Sequence, residues 1–473
     1  MTPGEEAERP TGTIAPDRPS RMLAGFCSEL TFGAIPGAVV EHAKLCILDG
    51  LGCALFGAGL EVGRVTAEYA RRSGGRQEAS LWGLPGRVPA ASAALVNGTL
   101  VHSFELDDLH KQSILHPTSV ALPAALAMAE ARGGASGKDL LTAFIAGAET
   151  AIRAGNAVGT AQLTAGFHPT GTLGPIAAAG AAGRIMGLPE PIMLHALGIG
   201  ATQGAGLMSS QFESMVKRVH AGRAAQSGVM AAELAELGLT GIDTVFENDY
   251  GGFCRAFAGD AADLSQLTGG LGERFEFAKT GFKCYSACGS THTTIDAIRE
   301  IRASHDLDAA DVERVEVESS TATLLHVGFP YVPGSLTGAQ LNLPYAAAVV
   351  LQDGEAFIDQ YTPGRIADAE TVSLAGRVTV TATPDIDAQG PSGRHAVRVT
   401  VATRDGRILK AARQHAKGSD HDPLSRDEVV AKFHRLASTR LGTQGAEALF
   451  EEVMGLDQAP DLSGLLNALS QAE

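Results

Sequence analysis

Apolar side chains recur at helical spacing from about residue 20 to 277, as in GAVVEHAKLCILDGLGCALF (37–56), SGKDLLTAFIAGAETAIRAG (136–155) and GRAAQSGVMAAELAELGL (222–239). Gly and Pro clusters break this stretch into segments of roughly 12 to 20 residues, the usual length of globular helices. After residue 277 the period changes. VERVEVESS, GRVTVTATP and RHAVRVTVATRDGRILKAA alternate apolar and polar positions as half-buried strands do. Asp405-Gly406 joins two of these runs as a hairpin turn would. Helices predicted at about 290–304 and 337–353 fall between the strands, which suggests a smaller α+β unit with antiparallel pairing. SRDEVVAKFHRLASTRLG and GAEALFEEVMGL are helical again, and if they pack back on the first helices the α+β unit is an insertion. The predicted fold is mainly α with an α+β lid: a disordered tail (1–20), a large all-helical domain (21–277), an inserted smaller α+β lid domain with an antiparallel sheet (278–418) and C-terminal helices returning to the helical domain (419–473).

Composition narrows the function. At 473 residues the chain is long enough for two or three folding units. Aromatics make up only 5 % while Gly and Ala abound, so much of the core is expected to be closely packed helix on helix. The net charge of −16 opposes docking on nucleic acid or an anionic membrane, and neither partner is expected. Cysteines at 27, 46, 53, 254, 284 and 288 form no CxxC, so no disulfide framework or zinc ribbon is indicated. With no signal pattern at the start and no long uninterrupted apolar run, a reducing, cytoplasmic compartment is the expectation.

Four segments concentrate the chemistry. HPTSVALPAALA (116–127) returns 52 positions later as HPTGTLGPIAAA (168–179), sharing H-P-T-x4-P-x-A-x-A. Pro suits a first helical turn and Thr can cap free amides, which puts His116 and His168 at helix mouths. The dipole there favours an anion and disfavours the imidazolium, a setting for proton transfer beside a carboxylate. HSFELDDLHKQSILHPT adds Glu105, Asp107 and Asp108, a mixture that suits carboxylate-oriented histidines, a divalent ion or a solvated loop. Its spacing matches no standard metal motif, so no metal is expected. MVKRVHAGRAAQSG places Lys217, His220 and Arg223 on one helical face, fit for a carboxylate ligand. FKCYSACGSTHTTIDA brings Lys283, Cys288 and His292 to the junction of the two domains, where clefts tend to form.

Taken together these segments resemble the MmgE/PrpD family, whose members dehydrate, decarboxylate or epimerise small polycarboxylates. The likeness runs from AKLCILDGLGCALFG through NGTLVHSFELDDLH, both H-P-T segments, KRVHAGRAAQSG and KCYSACGSTH to NLPYAAAVVLQDG. It implies a helical domain holding both chain ends, an α+β lid, a homodimer and catalysis without an organic cofactor. The implied catalytic residues are His116, His168, Lys217 and Asp107. Glu105, Asp108, His220, Lys283 and His292 are expected to hold substrate. The chain departs from the pattern at Glu105 (often Asp), Leu109 (often Thr) and Cys288, where decarboxylase-like members have His nearby. The expected activity is a dehydratase-type lyase on a small di- or tricarboxylate, through proton abstraction beside a carboxylate. An epimerase or decarboxylase of a similar substrate is the alternative, and a non-catalytic carboxylate-binding dimer is the alternative of another class.

Overall fold

The computed structural model describes residues 17–470. Helix α1 (Pro19–Glu29) takes in the last two residues assigned to the tail, because Ser20 is buried and its amide donates to Glu247 Oε2 at 3.2 Å. The rest of the predicted tail, residues 1–16, lies outside the described residues.

The helical part is built on α2 (Gly37–Ala58), α3 (Ala90–Val101), α4 (Thr118–Ala131), α5 (Gly137–Val158), α6 (Pro169–Ile185), α7 (Glu190–Ala201) and α8 (Val216–Glu236). Small residues set how closely these helices pack. A Cβ on Gly222 of α8 would stand 2.0 Å from the Leu95 carbonyl of α3, and one on Gly147 of α5 would stand 2.3 Å from the Ala177 carbonyl of α6. Neither contact tolerates a side chain. Helix α5 begins at a capping box in which Ser136 Oγ accepts the Asp139 amide at 3.2 Å and Asp139 accepts the Ser136 amide at 3.1 Å.

Beyond it, α9 (His292–His305), α10 (Thr321–Val327) and α11 (Leu343–Asp353) surround a sheet of β1 (Val312–Ser319), β2 (Val378–Ala382), β3 (Val397–Thr403) and β4 (Ile408–Arg413). The order is β2-β1-β3-β4. β3 runs antiparallel to both neighbours, and its hairpin to β4 turns at Gly406 (φ +89). The sheet is nevertheless mixed, not antiparallel as expected, because β2 lies parallel to β1. The link from β1 to β2 passes through α10 and α11, and such a helical crossover returns the chain in the same direction. The single helix predicted at 337–353 is divided into Leu336–Gln340 and α11, since Asn342 caps α11 by accepting the Tyr345 amide at 2.8 Å and Pro344 occupies its first turn.

Helix α12 (Arg426–Met454), interrupted at Gly442, packs against α2. Its Phe433 lies over Gly52, and Lys432 Nζ meets Asp49 Oδ1 at 2.6 Å. Two apolar clusters result. One joins α1–α8 to the C-terminal helices, and the other surrounds the sheet and includes Phe104 and Leu106. The segment after α3 thus sits where the clusters meet. Among the described residues no single helix is long and apolar enough to cross a membrane.

Candidate active site

Past α3 the chain makes a short turn at His102–Phe104, then places Glu105 in the left-handed region at φ 60, ψ 26. Non-glycine residues seldom adopt this conformation, and it persists only where neighbours enforce it. Here they do. Gln340 Nε2 donates to the Phe104 carbonyl at 2.8 Å, Lys432 Nζ donates to the Leu106 carbonyl at 2.6 Å, and Leu109–His110 pairs with Thr280–Gly281.

The enforced turn aims Glu105 at three cations. Lys217 Nζ lies 2.9 Å from its Oε2, Lys283 Nζ lies 3.0 Å from Oε1, and Arg218 also donates to Oε2. All four side chains are buried. Burial opposes the charge on Glu105, but Lys217, Lys283 and Arg218 hold its carboxyl well below the usual range. Burial lowers the Lys217 ammonium, Glu105 opposes that, and Arg218 and Lys283 add to it. The expected basic face is therefore reshaped. Arg218 joins Lys217, with its other nitrogen donating to Gln340 at 2.8 Å, while Arg223 is exposed and bonds Gln226 at 2.6 Å.

Beside this cluster stand the imidazoles. Asp107 Oδ2 lies 2.7 Å from His102 Nδ1 and 3.1 Å from His116 Nδ1. Burial works against the Asp107 charge, yet the two facing rings hold its carboxyl well below the ordinary value. Burial also keeps His102 neutral by pulling it down to about 3. The His102 contact is a hydrogen bond, so with Nδ1–H directed at Asp107 the nitrogen of His102 left to accept a proton is Nε2, whereas His116 Nδ1 faces Asp107 without a well-aligned hydrogen bond. The donor atoms of His102, Asp107 and His116 all lie within 4.8 Å of one another, close enough to ligate a metal ion.

The two H-P-T segments touch each other. The His116 amide donates to Thr170 Oγ1 at 3.3 Å, and the rings of His102 and His168 stand 5.4 Å apart. Pro169 occupies the first turn of α6 with His168 at its N-cap. Burial, then Lys217, His102 and His220, push His168 well below the ordinary histidine value, so it is neutral. His220 Nδ1 shares a 3.1 Å hydrogen bond with His168 Nδ1. Thr118 is not the cap anticipated for α4. Its amide and hydroxyl instead donate to Asp108, at 3.3 and 2.6 Å, so Asp108 caps the helix.

Glu105, His116, His168, Lys217 and Lys283 line one shared cavity. Asp107 stands behind His116, and His220 behind His168. Asp108 is spent on the helix cap, and His292 points its Nε2 at the Ala287 carbonyl, 3.1 Å away, outside this cavity. The cavity also contains Cys288, Ser290, His326, Arg394 and His395. Of these, Cys288 and Ser290 stood in a segment that the sequence singled out. His326, Arg394 and His395 carry no local pattern, because strand pairing and not spacing brings them in.

Residues 21–265 match the MmgE/PrpD N-terminal domain and residues 285–458 the MmgE/PrpD C-terminal domain. The chain is 31 % identical to the cis-aconitate decarboxylase-like protein oryM of Aspergillus oryzae, over 95 % of this chain and 96 % of that one. It is 30 % identical to cis-aconitate decarboxylase of Aspergillus terreus, over 95 % of each chain. Against cis-aconitate decarboxylase of Homo sapiens the identity is 28 %, over 93 % of this chain and 92 % of the other. Both domain matches fall in the order of the fold, and between them they take in every residue of the Glu105 and Asp107 clusters except Lys283, which lies between the two matches. The chain belongs to the MmgE/PrpD family.

Proposed function

We propose that the cavity is the active site of a lyase that removes carbon dioxide from a small unsaturated polycarboxylate of the cis-aconitate class. One observation carries the reading: three buried cations share the single carboxylate of Glu105 on the wall of a cavity that also presents His116 and His168. Three cations against one carboxylate leave an excess of positive charge, suited to a substrate bearing more than one carboxylate. Release of carbon dioxide leaves an electron pair on the adjacent carbon. Cations around a neighbouring carboxylate stabilise that pair as an enolate, which is where preorganised charge lowers a barrier most. His116, oriented by Asp107, and His168, oriented by His220, then stand ready to move protons at ring nitrogens.

Likeness over almost the whole length to proteins named cis-aconitate decarboxylase supports loss of carbon dioxide ahead of the loss of water expected from the sequence. Both reactions pass through the same kind of intermediate. The test is incubation with cis-aconitate and with hydroxylated tricarboxylates in deuterated water, followed by proton NMR. Carbon dioxide release with a new dicarboxylate is the expected result. A new olefin from a hydroxy acid makes it a dehydratase, exchange without net conversion makes it an epimerase, and saturable binding alone makes it a carboxylate sensor.

A further inference from the structure

Cys288 differs from the other cysteines in its surroundings. Its backbone is fixed, with the amide donating to the Gln340 carbonyl at 2.8 Å and its own carbonyl accepting the Thr291 amide at 2.8 Å. Its Sγ stands 3.8 Å from Nδ1 and 3.9 Å from Nε2 of His326, a half-buried side chain on α10. Ser290 Oγ lies 3.2 Å from His326 Nδ1 and 3.4 Å from His395 Nε2, which itself accepts from Arg394 Nε at 3.1 Å. Sulfur and imidazole both line the cavity, on walls supplied by the sheet-bearing part, whereas His116 and His168 come from the helical part.

The geometry points to Cys288 and His326 as a thiol–imidazole pair that delivers a proton into the cleft, a role resting on the lyase reading above. As the enolate collapses, the S–H bond breaks and a C–H bond forms at the carbon that held the departing carboxylate. The S–H electron pair stays on sulfur as a thiolate, which protonated His326 stabilises. His326 returns its proton to sulfur and is reprotonated by water. The charged groups facing the sulfur are His326, Lys283, Glu105 and Arg394. Burial raises the thiol, but His326 overrides it and brings Cys288 down to about 7, near the operating pH of a proton carrier. Burial instead pushes Cys27, Cys254 and Cys284 up to about 12. Selective reactivity follows.

Alkylation of the intact protein by iodoacetamide from pH 5.5 to 9, with peptide mapping, tests the pair without knowledge of the substrate. Cys288 is expected to react first, with a midpoint near 7 against an ordinary value of about 8.5, and saturating tricarballylate should slow it. In folded His326→Gln the midpoint should rise by about one unit. An unreactive Cys288, or a midpoint unchanged in His326→Gln, overturns the pair. Cys288→Ser should then lower kcat roughly 10²-fold with KM little changed. Wild-type kcat in that variant overturns the proton-delivery role. If the wild-type protein turns over no polycarboxylate, the lyase reading and the delivery role fail together, while the alkylation midpoint still decides whether the pair exists.

Discussion

His116 and His168 differ from Lys217 in what their removal should cost. In the proposed reaction each imidazole serves the moving proton, so His116→Ala or His168→Ala should lower kcat roughly 10²-fold with binding little changed. In the same proposal Lys217 holds charge present in both substrate and enolate, so Lys217→Ala should raise KM and, to the extent that it favours the enolate, lower kcat as well. Steady-state kinetics on variants shown to be folded by circular dichroism separates the two patterns. Near-normal turnover in both histidine variants would reduce the repeated H-P-T to a device for entering helices. The trio of His102, Asp107 and His116 raises a second question, since its donor atoms gather closely enough for a metal. Asp107 Oδ2 already contacts both Nδ1 atoms directly, and activity is therefore expected to survive prolonged treatment with a chelator. Activity lost to the chelator and restored by one added metal would reassign the trio to ligation. Much of this site was readable as a list of residue types. Its pairings were not: nothing in the spacing of ELDD says that Glu105 takes three cations, Asp107 two imidazoles and Asp108 a helix end.

The repeated pattern has a further consequence one level up, because it contains a proline inside each helix, Pro123 in α4 and Pro175 in α6. Proline has no amide to bond the carbonyl four residues before it. In α6 that carbonyl is Gly171, which instead accepts the Ala205 amide at 3.2 Å, and the next residue of the same loop, Gly206, accepts the His168 amide at 3.0 Å. The interior proline thus helps to hold the loop that fixes a cleft histidine. Helices with period 3.6 were legible because burial on one side or all around still spaces Ala and Leu regularly. The direction of β2 was not legible, since alternation is the same in parallel and antiparallel strands. The close approach of α3 and α8 was visible only as an abundance of Gly and Ala. It has a measurable price: Gly222→Ala puts a methyl 2.0 Å from the Leu95 carbonyl and should destabilise by about 1–3 kcal/mol, read from the urea midpoint. Gly33→Ala, with nothing within 4 Å, should be near neutral. Equal midpoints for the two variants would mean that α3 and α8 separate at little cost.

For the molecule as a whole, the buried neutral imidazoles govern acid stability. Burial lowers His42, His110 and His220 to about 4, and His102 and His292 to about 3. Each takes up a proton on unfolding at any pH between its folded value and the ordinary value of about 6.5. Their contribution is complete above about pH 6.5 and is lost as the pH falls toward 4, by up to about 1.4 kcal/mol per unit for each group. Urea midpoints should drop steeply from pH 6.5 to 5. His42, between Phe277 and Phe282 with its Nε2 unpartnered, is a clean probe, and His42→Leu should flatten the slope by one proton. An unchanged slope would show that His42 is not held neutral. Assembly is the remaining property at this scale. Leu207, Phe212, Met215 and Val216 are exposed within one short stretch, ahead of Lys217 and Arg218 and around a surface hollow that reaches His220. We propose that this apolar cluster is where a second copy docks. We expect a homodimer, seen by light scattering as about twice 48.7 kDa. Phe212→Glu with Val216→Glu should yield monomers. Because Val216 begins the helix whose first turn carries Lys217 and Arg218, those monomers should also bind polycarboxylate more weakly. A monomeric wild-type mass at micromolar concentration rules out the dimer, and monomers with unimpaired binding would show that the cleft is complete within one chain.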